Sequence, residues 1–284
     1  MIGKWKSPDC ENPSCQNRSW RARFRPYDQL RLQGRRYCSL ECLQQSMEQL
    51  LSRLLPAATT SRGPARSHRL PLGLLLYSEG WINEENLKAA LTAQRNSKGG
   101  RIGDWFRKLG AVSEHQIVAA LAKQWSRPVF SFQGNTSFLG CSGLIPFPLL
   151  ESSSMVPVHY LPQSGHLYIA FADGIDYSAL YGIERMLDCQ TEPCLTEQSS
   201  LQWALDQIRQ QRRPPEVTFD SIRNPKEMAR ATASYASKVG AEDIRVAQCN
   251  RFFWIQLRVA KQITNLLFNV PASKPIAEPL AIVS

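Results

Sequence analysis

Long hydrophobic runs are missing from this sequence of 284 residues. The longest apolar stretch, Leu70 to Tyr77, is well under half of the ~20 residues that span a bilayer, so no transmembrane helix is expected. The start, Met1-Ile-Gly-Lys-Trp-Lys, lacks the apolar core and small-residue cleavage site of a signal peptide, so a cytoplasmic location is expected. Histidine is scarce, and His68, His115, His159 and His166 are scattered. There is no His-Glu-x-x-His pair for zinc catalysis and no Gly-x-Ser-x-Gly nucleophile elbow. Neither Gly-Lys-Ser nor Gly-Lys-Thr occurs, so the loop that cradles the phosphates of ATP is missing. Gly99-Gly-Arg-Ile-Gly103 is a glycine cluster without that lysine. With no nucleophile–base pair to nominate, the expectation is a chain without catalytic activity.

What is present is a clustered set of cysteines. Of eight, four form Cys10-x4-Cys15 and Cys38-x3-Cys42, while Cys141, Cys189, Cys194 and Cys249 are spread out. In a reducing compartment such a group reads as metal ligands more readily than as disulfides. Structural zinc held by Cys10, Cys15, Cys38 and Cys42 is the expectation, with four thiolates closing a tetrahedron. Four buried or free thiols, or a redox role, are the alternatives. Tyr37-Cys-Ser-Leu-Glu-Cys42 resembles the second knuckle of treble-clef fingers, whose last two ligands sit at a helix start.

Charge is concentrated at the same end. Residues 1–69 hold 13 Lys/Arg against 5 Asp/Glu, which accounts for most of the net +10. Between the cysteine pairs, Arg18-Ser-Trp-Arg-Ala-Arg-Phe-Arg25 alternates arginines with Trp20 and Phe24, and Arg31 to Arg36 follows. One reading is a basic strand face for a nucleic-acid backbone with aromatics stacked on bases. Docking on an acidic partner protein is the other.

The fold class expected is α+β: a small zinc knuckle, a helical tandem-repeat subdomain plus an α/β subdomain, and a short C-terminal αβ unit. The divisions are 1–55 for the knuckle and its helix, 56–69 for a linker rich in breakers, and 70–130 for the repeat. They continue with 131–210 for the α/β part, 211–216 for a proline-stiffened linker, 217–270 for the αβ unit and 271–284 for a tail. Strands are expected at Val156–Leu161, Leu167–Phe171 and Thr191–Leu195, with helices over Asp176–Leu187 and Ser199–Arg209. His159 and His166, beside the hairpin, read as surface or packing residues, and Cys189 with Cys194 as core.

The repeat is the most specific feature. Pro71-Leu-Gly through Gly80 to Leu87 aligns with Arg101-Ile-Gly through Gly110 to Ile117, at an offset of 30 residues throughout. Each copy continues through Leu91 or Leu121 to Gln94 or Gln124. Each reads as helix, glycine stop, N-cap, helix: Gly80 and Gly110 suit the left-handed C′ position, and Asn83 and Ser113 suit N-caps. Ser113 with Gln116 fits a capping box.

The pattern Arg-Leu-Gly, two apolar residues, Gly, two apolar residues, then Leu, Leu and Gln resembles the MshE-type N-terminal domain. That domain precedes the motor in many type II secretion and type IV pilus assembly ATPases. The second copy matches at Arg101, Ile102, Gly103, Phe106, Gly110, Val112, Ile117, Leu121 and Gln124. The first matches at Leu72, Gly73, Leu76, Gly80, Ile82, Leu87, Leu91 and Gln94. In that family paired copies bind the bacterial second messenger cyclic di-GMP. The resemblance therefore implies a ligand site at Leu72, Gly73, Gly80, Gln94, Arg101, Ile102, Gly103, Gly110 and Gln124. A glycine beside a helix N-terminus lets backbone N–H groups approach a phosphate. An arginine forks onto phosphate oxygens or a guanine O6/N7 edge.

Departures from the pattern are concrete. Pro71 stands where the first copy should carry its arginine, and Arg69 is the nearest substitute. Tyr77 and Arg107 occupy apolar positions, and Ala111 is small. Losing one charge-assisted hydrogen bond removes about 1.5–3 kcal/mol, or roughly ten- to a hundredfold in affinity.

Downstream, Leu144-Ile-Pro-Phe-Pro-Leu-Leu150, Met155-Val-Pro-Val-His-Tyr-Leu-Pro162 and His166-Leu-Tyr-Ile-Ala-Phe-Ala-Asp173 resemble the second half of the same domain. Lys226–Val239 followed by Gly240-Ala-Glu-Asp-Ile-Arg-Val246 resembles the start of the next ATPase domain, with Arg245 in place of its usual His and Phe252–Val259 as the following strand. The resemblance implies a non-catalytic regulatory or adaptor protein, without its motor, whose protein partner belongs to a secretion or pilus machine. Two further readings stand beside it: a zinc-finger regulator that binds nucleic acid, and a ligand-free structural remnant mediating protein–protein contacts.

Overall fold

The structure is a computed structural model that describes residues 10–15, 30–59, 69–97, 99–172, 174–260 and 262–270. The fold is mixed α+β, with two sheets among the described residues. Two compact units divide it: residues 1–63 together with 214–284, and residues 64–213. Elements are numbered in chain order.

In the first unit a hairpin joins β1 (Arg31–Leu32) to β2 (Arg35–Arg36). Its turn places Gln33 and Gly34 at φ 54° and 77°, the left-handed pair that matches the twist of a two-residue hairpin. Helix α1 (Leu40–Thr59) follows at once. Leu43, Met47 and Leu51 repeat along α1 at i, i+4, i+8 and are fully buried. They meet α9 (Pro225–Val239), which presents Ala229, Ala233 and Ala236 to the shared core. Small side chains there let the two helices lie close.

Helix α9 begins with Asn224, whose side chain accepts from the Lys226 amide, and Pro225 suits its first turn. Gly240, at φ 68°, ends it. Behind the helices runs a six-stranded sheet in the order β2-β1-β7-β8-β9-β6, adding β6 (Glu216–Phe219), β7 (Asp243–Cys249), β8 (Phe252–Val259) and β9 (Gln262–Asn269). Ile244, Val246, Phe253, Ile255, Leu257, Leu266 and Phe268 alternate along β7–β9 and join the core with α1 and α9. On β8 and β9 the buried Trp254 indole donates to Asn265 Oδ1 at 2.9 Å, satisfying both polar groups.

The boundary that separates 1–55 from 217–270 is therefore revised. β1 pairs in parallel with β7, Arg31 opposite Asp243 and Leu32 opposite Ile244. The span read as a linker over 211–216 ends in β6, and the tail read over 271–284 lies outside the described residues. Most of the 56–69 linker, and the Arg18–Arg25 segment with Trp20 and Phe24, also lie outside them. Periodicity shows which face of a strand is buried but not which distant strand it joins.

The second unit opens with four helices: α2 (Leu72–Ser78), α3 (Glu84–Asn96), α4 (Ile102–Lys108) and α5 (Glu114–Trp125). It continues with α6 (Phe147–Ser152), β3 (Met155–Leu161), β4 (His166–Phe171), α7 (Tyr177–Leu187), β5 (Gln190–Leu195) and α8 (Gln198–Arg209). β3 and β4 form the expected antiparallel hairpin, and β5 returns in parallel beside β4 after α7. Backbone bonds from Phe130 to Leu195 (2.7 Å) and from Leu195 to Pro128 (2.9 Å) tie the helical part to β5.

Met47→Ala tests the joined core of the first unit. A large-to-small change at such a site costs about 2–5 kcal/mol. Native-state amide exchange is expected to quicken in β8 as well as in α1; protection loss confined to α1 would contradict a shared core.

Candidate functional site

Each tandem copy is built as its sequence pattern requires. Gly80 and Gly110 sit just past α2 and α4 at φ 69° and 66°. Trp81 and Ala111 donate back to the Leu76 and Phe106 carbonyls at 3.0 Å, closing each helix with the same turn. Both copies carry a full capping box, Asn83 with Asn86 and Ser113 with Gln116.

The copies then exchange partners. α2 packs against α5, and α4 against α3, so the first helix of each copy rests on the second helix of the other. A Cβ at Gly73 would stand 2.9 Å from Leu87 Cδ1 and 3.6 Å from the Phe106 ring. At Gly103 it would stand 3.3 Å from Leu72 Cδ2 and 3.5 Å from Ile117. The motif glycines thus permit close helix packing, and both are buried between apolar side chains.

The two glutamines are exchanged in the same way. Gln94 Nε2 donates to the Gly100 carbonyl at 2.6 Å, immediately before Arg101. Gln124 Nε2 donates to the Leu70 carbonyl at 2.7 Å, immediately before Pro71. Each therefore holds the backbone that leads into the other copy.

A cavity of about 290 Å³ opens where the copies meet. Of the residues expected at a ligand site, Leu72, Arg101, Ile102 and Gly103 line it, together with the motif residues Ile117 and Leu121. Gly73, Gly80, Gln94, Gly110 and Gln124 are not in its wall; they shape the helices that form it. Sequence reasoning missed Asp104, Glu114, Ala172 and Gln198, which also line the cavity, and took Arg107 only as a misfit. Arg107, in an apolar position of the motif, lies 3.5 Å from Glu114 and 3.8 Å from Asp104. Glu114 in turn accepts from the Ser199 amide and hydroxyl at 2.9 and 2.8 Å, linking α5 to α8. Arg69 is stacked on the Trp125 ring, 3.5 Å from its centroid, and is not in the cavity wall.

A separate constellation lies in the other unit. The sulfurs of Cys10, Cys15, Cys38 and Cys42 all fall within 4.8 Å of one another and could hold a metal ion. Cys15 and Cys38 are 3.5 Å apart, and Cys38 and Cys42 3.7 Å. A turn at Asn12 to Cys15 presents the first pair, with the Cys15 amide on the Asn12 carbonyl at 3.1 Å. Cys38 precedes α1 and Cys42 lies in its first turn, where Ser39 Oγ accepts from the Cys42 amide at 3.2 Å. Burial and the hydrogen-bonded thiols of Cys15, Cys10 and Cys42 push the Cys38 thiol far up. Against the rise that burial imposes, hydrogen bonds with Asn12 and Ser39 hold Cys42 below the usual thiol value. Elsewhere burial pushes Cys194, a core thiol, up to about 12, while Cys189, read as core, is only half-buried, and burial with Glu184 and Asp188 nearby pushes it to about 11. Of the basic segment, Arg31, Arg35 and Arg36 are exposed on the hairpin. His159 is exposed beside Tyr168, and His166 contacts the Ser164 carbonyl at 3.0 Å.

Gly73→Val is expected to force α2 away from α3 and to cost about 1–3 kcal/mol by overpacking, read as a lower unfolding midpoint. An unchanged midpoint would contradict the close packing.

No family model matches the chain. Among curated proteins, the type IV pilus assembly ATPase PilB of Myxococcus xanthus is 24% identical over 212 residues, 66% of this chain and 37% of PilB. The chain thus spans little more than a third of that relative's length. Among solved structures, MshE with cdg is 29% identical with a TM-score of 0.43, covering 49% of this chain and 99% of that one. The XpsE N-terminal domain is 15% identical with a TM-score of 0.38, covering 48% and 92%. Among the described residues no helix is long and apolar enough to cross a membrane. In its tandem motif and in these comparisons, the chain is similar to the MshE-type N-terminal domain of secretion and pilus assembly ATPases.

Proposed function

We propose that this protein is a non-catalytic regulatory or adaptor protein of the cytoplasm that binds cyclic di-GMP at the junction of its two motif copies. The observation that carries this reading is the cavity itself, where Leu72 of the first copy and Arg101, Ile102 and Gly103 of the second converge. Arg101, the exposed N-cap residue of α4, supplies the cation for a phosphate or a guanine O6/N7 edge. Leu72, Ile102, Ile117 and Leu121 supply apolar surface for a base. At about 290 Å³ the cavity is at the small end of ligand sites and suits one guanine-bearing half of the dinucleotide. Pro71 makes the two halves unequal, so the second copy carries more of the affinity. The partner proposed for the protein is a protein of a secretion or pilus machine.

In the other unit a structural zinc ion is proposed at Cys10, Cys15, Cys38 and Cys42. The observed sulfur separations of 3.5 and 3.7 Å sit near the edge of about 3.8 Å expected for a tetrahedron with zinc–sulfur bonds of about 2.3 Å. Zinc would keep all four thiols ionised, which the crowding of Cys38 otherwise opposes.

Titration calorimetry with cyclic di-GMP tests the first reading. Binding is expected, with Arg101→Ala weakening it roughly ten- to a hundredfold. No heat at high micromolar ligand, or full affinity in the variant, would overturn the site. Metal analysis of the purified chain tests the second: close to one zinc per chain is expected, lost in Cys38→Ser, and well under half an equivalent in the unaltered chain would contradict it.

A further inference from the structure

The start of α8 contributes to the cavity wall, which no part of the tandem motif foretells. Gln198, the first residue of α8, lines it. Its Oε1 is buried and has no hydrogen-bond partner among the described residues. A buried acceptor left without a donor costs about 1–3 kcal/mol, and because Gln198 lines the cavity, a turn of its side chain would let a ligand supply that donor.

The donors of the neighbouring Ser199 are committed elsewhere. The Ser199 amide and hydroxyl both go to Glu114, at 2.9 and 2.8 Å. Arg107 faces Glu114 and Asp104 at 3.5 and 3.8 Å. Bringing the Ser199 hydroxyl to Gln198 would therefore break a bond to a carboxylate.

Guanine offers what is lacking. Its O6 and N7 are acceptors, suited to Arg101, whereas its exocyclic 2-amino group is a donor that adenine and hypoxanthine do not carry there. We infer that Gln198 is a specificity-determining residue of this cavity, its side-chain carbonyl accepting from the 2-amino group of a bound guanine. The inference rests on the reading of the cavity as a cyclic di-GMP site and adds what selects the base. Arg101 then draws the ligand in by charge, and Gln198 distinguishes guanine from other purines.

The test is a double-mutant cycle in which the ligand supplies one of the changes. The full chain and Gln198→Leu are each titrated with cyclic di-GMP and with cyclic di-IMP, which differs only in lacking the 2-amino group. In the unaltered protein the inosine analogue is expected to bind roughly three- to tenfold more weakly, the worth of one neutral hydrogen bond. In Gln198→Leu the affinity for cyclic di-GMP is expected to fall by a similar factor, and the two ligands to bind equally.

Replacing an unpaired buried acceptor by an apolar group leaves the ligand-free protein as stable or more so, and its melting temperature should show this. A purely structural role would lower it. Gln198→Met provides the same comparison should the leucine variant fail to fold. Equal discrimination between the two ligands in variant and parent overturns the assignment of Gln198 while leaving the cyclic di-GMP site standing. Absence of cyclic di-GMP binding to the parent overturns both.

Discussion

Close approach of helices at two glycines shapes everything that follows in the tandem-motif unit. With no Cβ at Gly73 or Gly103, Leu87 and Leu72 fill the space a side chain would take, and α2 and α4 sink between the longer helices. Because α2 rests on α5 and α4 on α3, neither copy buries its apolar face alone. Phe106, Leu76 and Ala120, all fully buried, belong to one core drawn from both copies. The reciprocal bonds from Gln94 to Gly100 and from Gln124 to Leu70 fix the start of each short helix from the opposite copy. A cavity made by both copies is the direct consequence.

Charge around that cavity is balanced but weakly held. Arg101, Arg107, Asp104 and Glu114 all line the cavity, and Arg107 faces both carboxylates. The pairs made by Arg107 are long and half exposed, with the arginine side chain 45% accessible, and such pairs contribute about 0–1 kcal/mol. An arginine held so loosely turns toward an anionic ligand at small cost. Arg69, the nearest arginine to Pro71, stacks its guanidinium on Trp125 instead of lining the cavity.

Local signals were legible in the sequence and long-range ones were not. Gly80, Gly110, Asn83 and Ser113 announce helix ends because their preference comes from the backbone conformation of a single turn. The hairpin of β3 and β4, and α7 and α8, follow from periodicity to within a few residues. The spacing of the cysteines announced a four-sulfur cluster. What it leaves out is that β1 joins β7, more than two hundred residues away, so that cluster, hairpin and α1 share a core with the C-terminal strands. The role of Gly73 and Gly103 was visible as a motif, but the close neighbours they admit come from other helices and carry no signal in the local sequence. Gln198 carries no signal in the sequence: it lies far along the chain from the motif and matters only because the start of α8 reaches the cavity wall.

One cavity, lined by residues of both motif copies and by the first residue of α8, is the proposed seat of the ligand. Hydrogen–deuterium exchange of the full chain with and without saturating cyclic di-GMP tests it most directly. The account predicts slowed exchange over Ile102–Lys108, at the N-terminal half of α5 and at the start of α8, with the first unit unchanged. Protection confined to the cysteine-bearing unit, or none at all at saturating ligand, would contradict it.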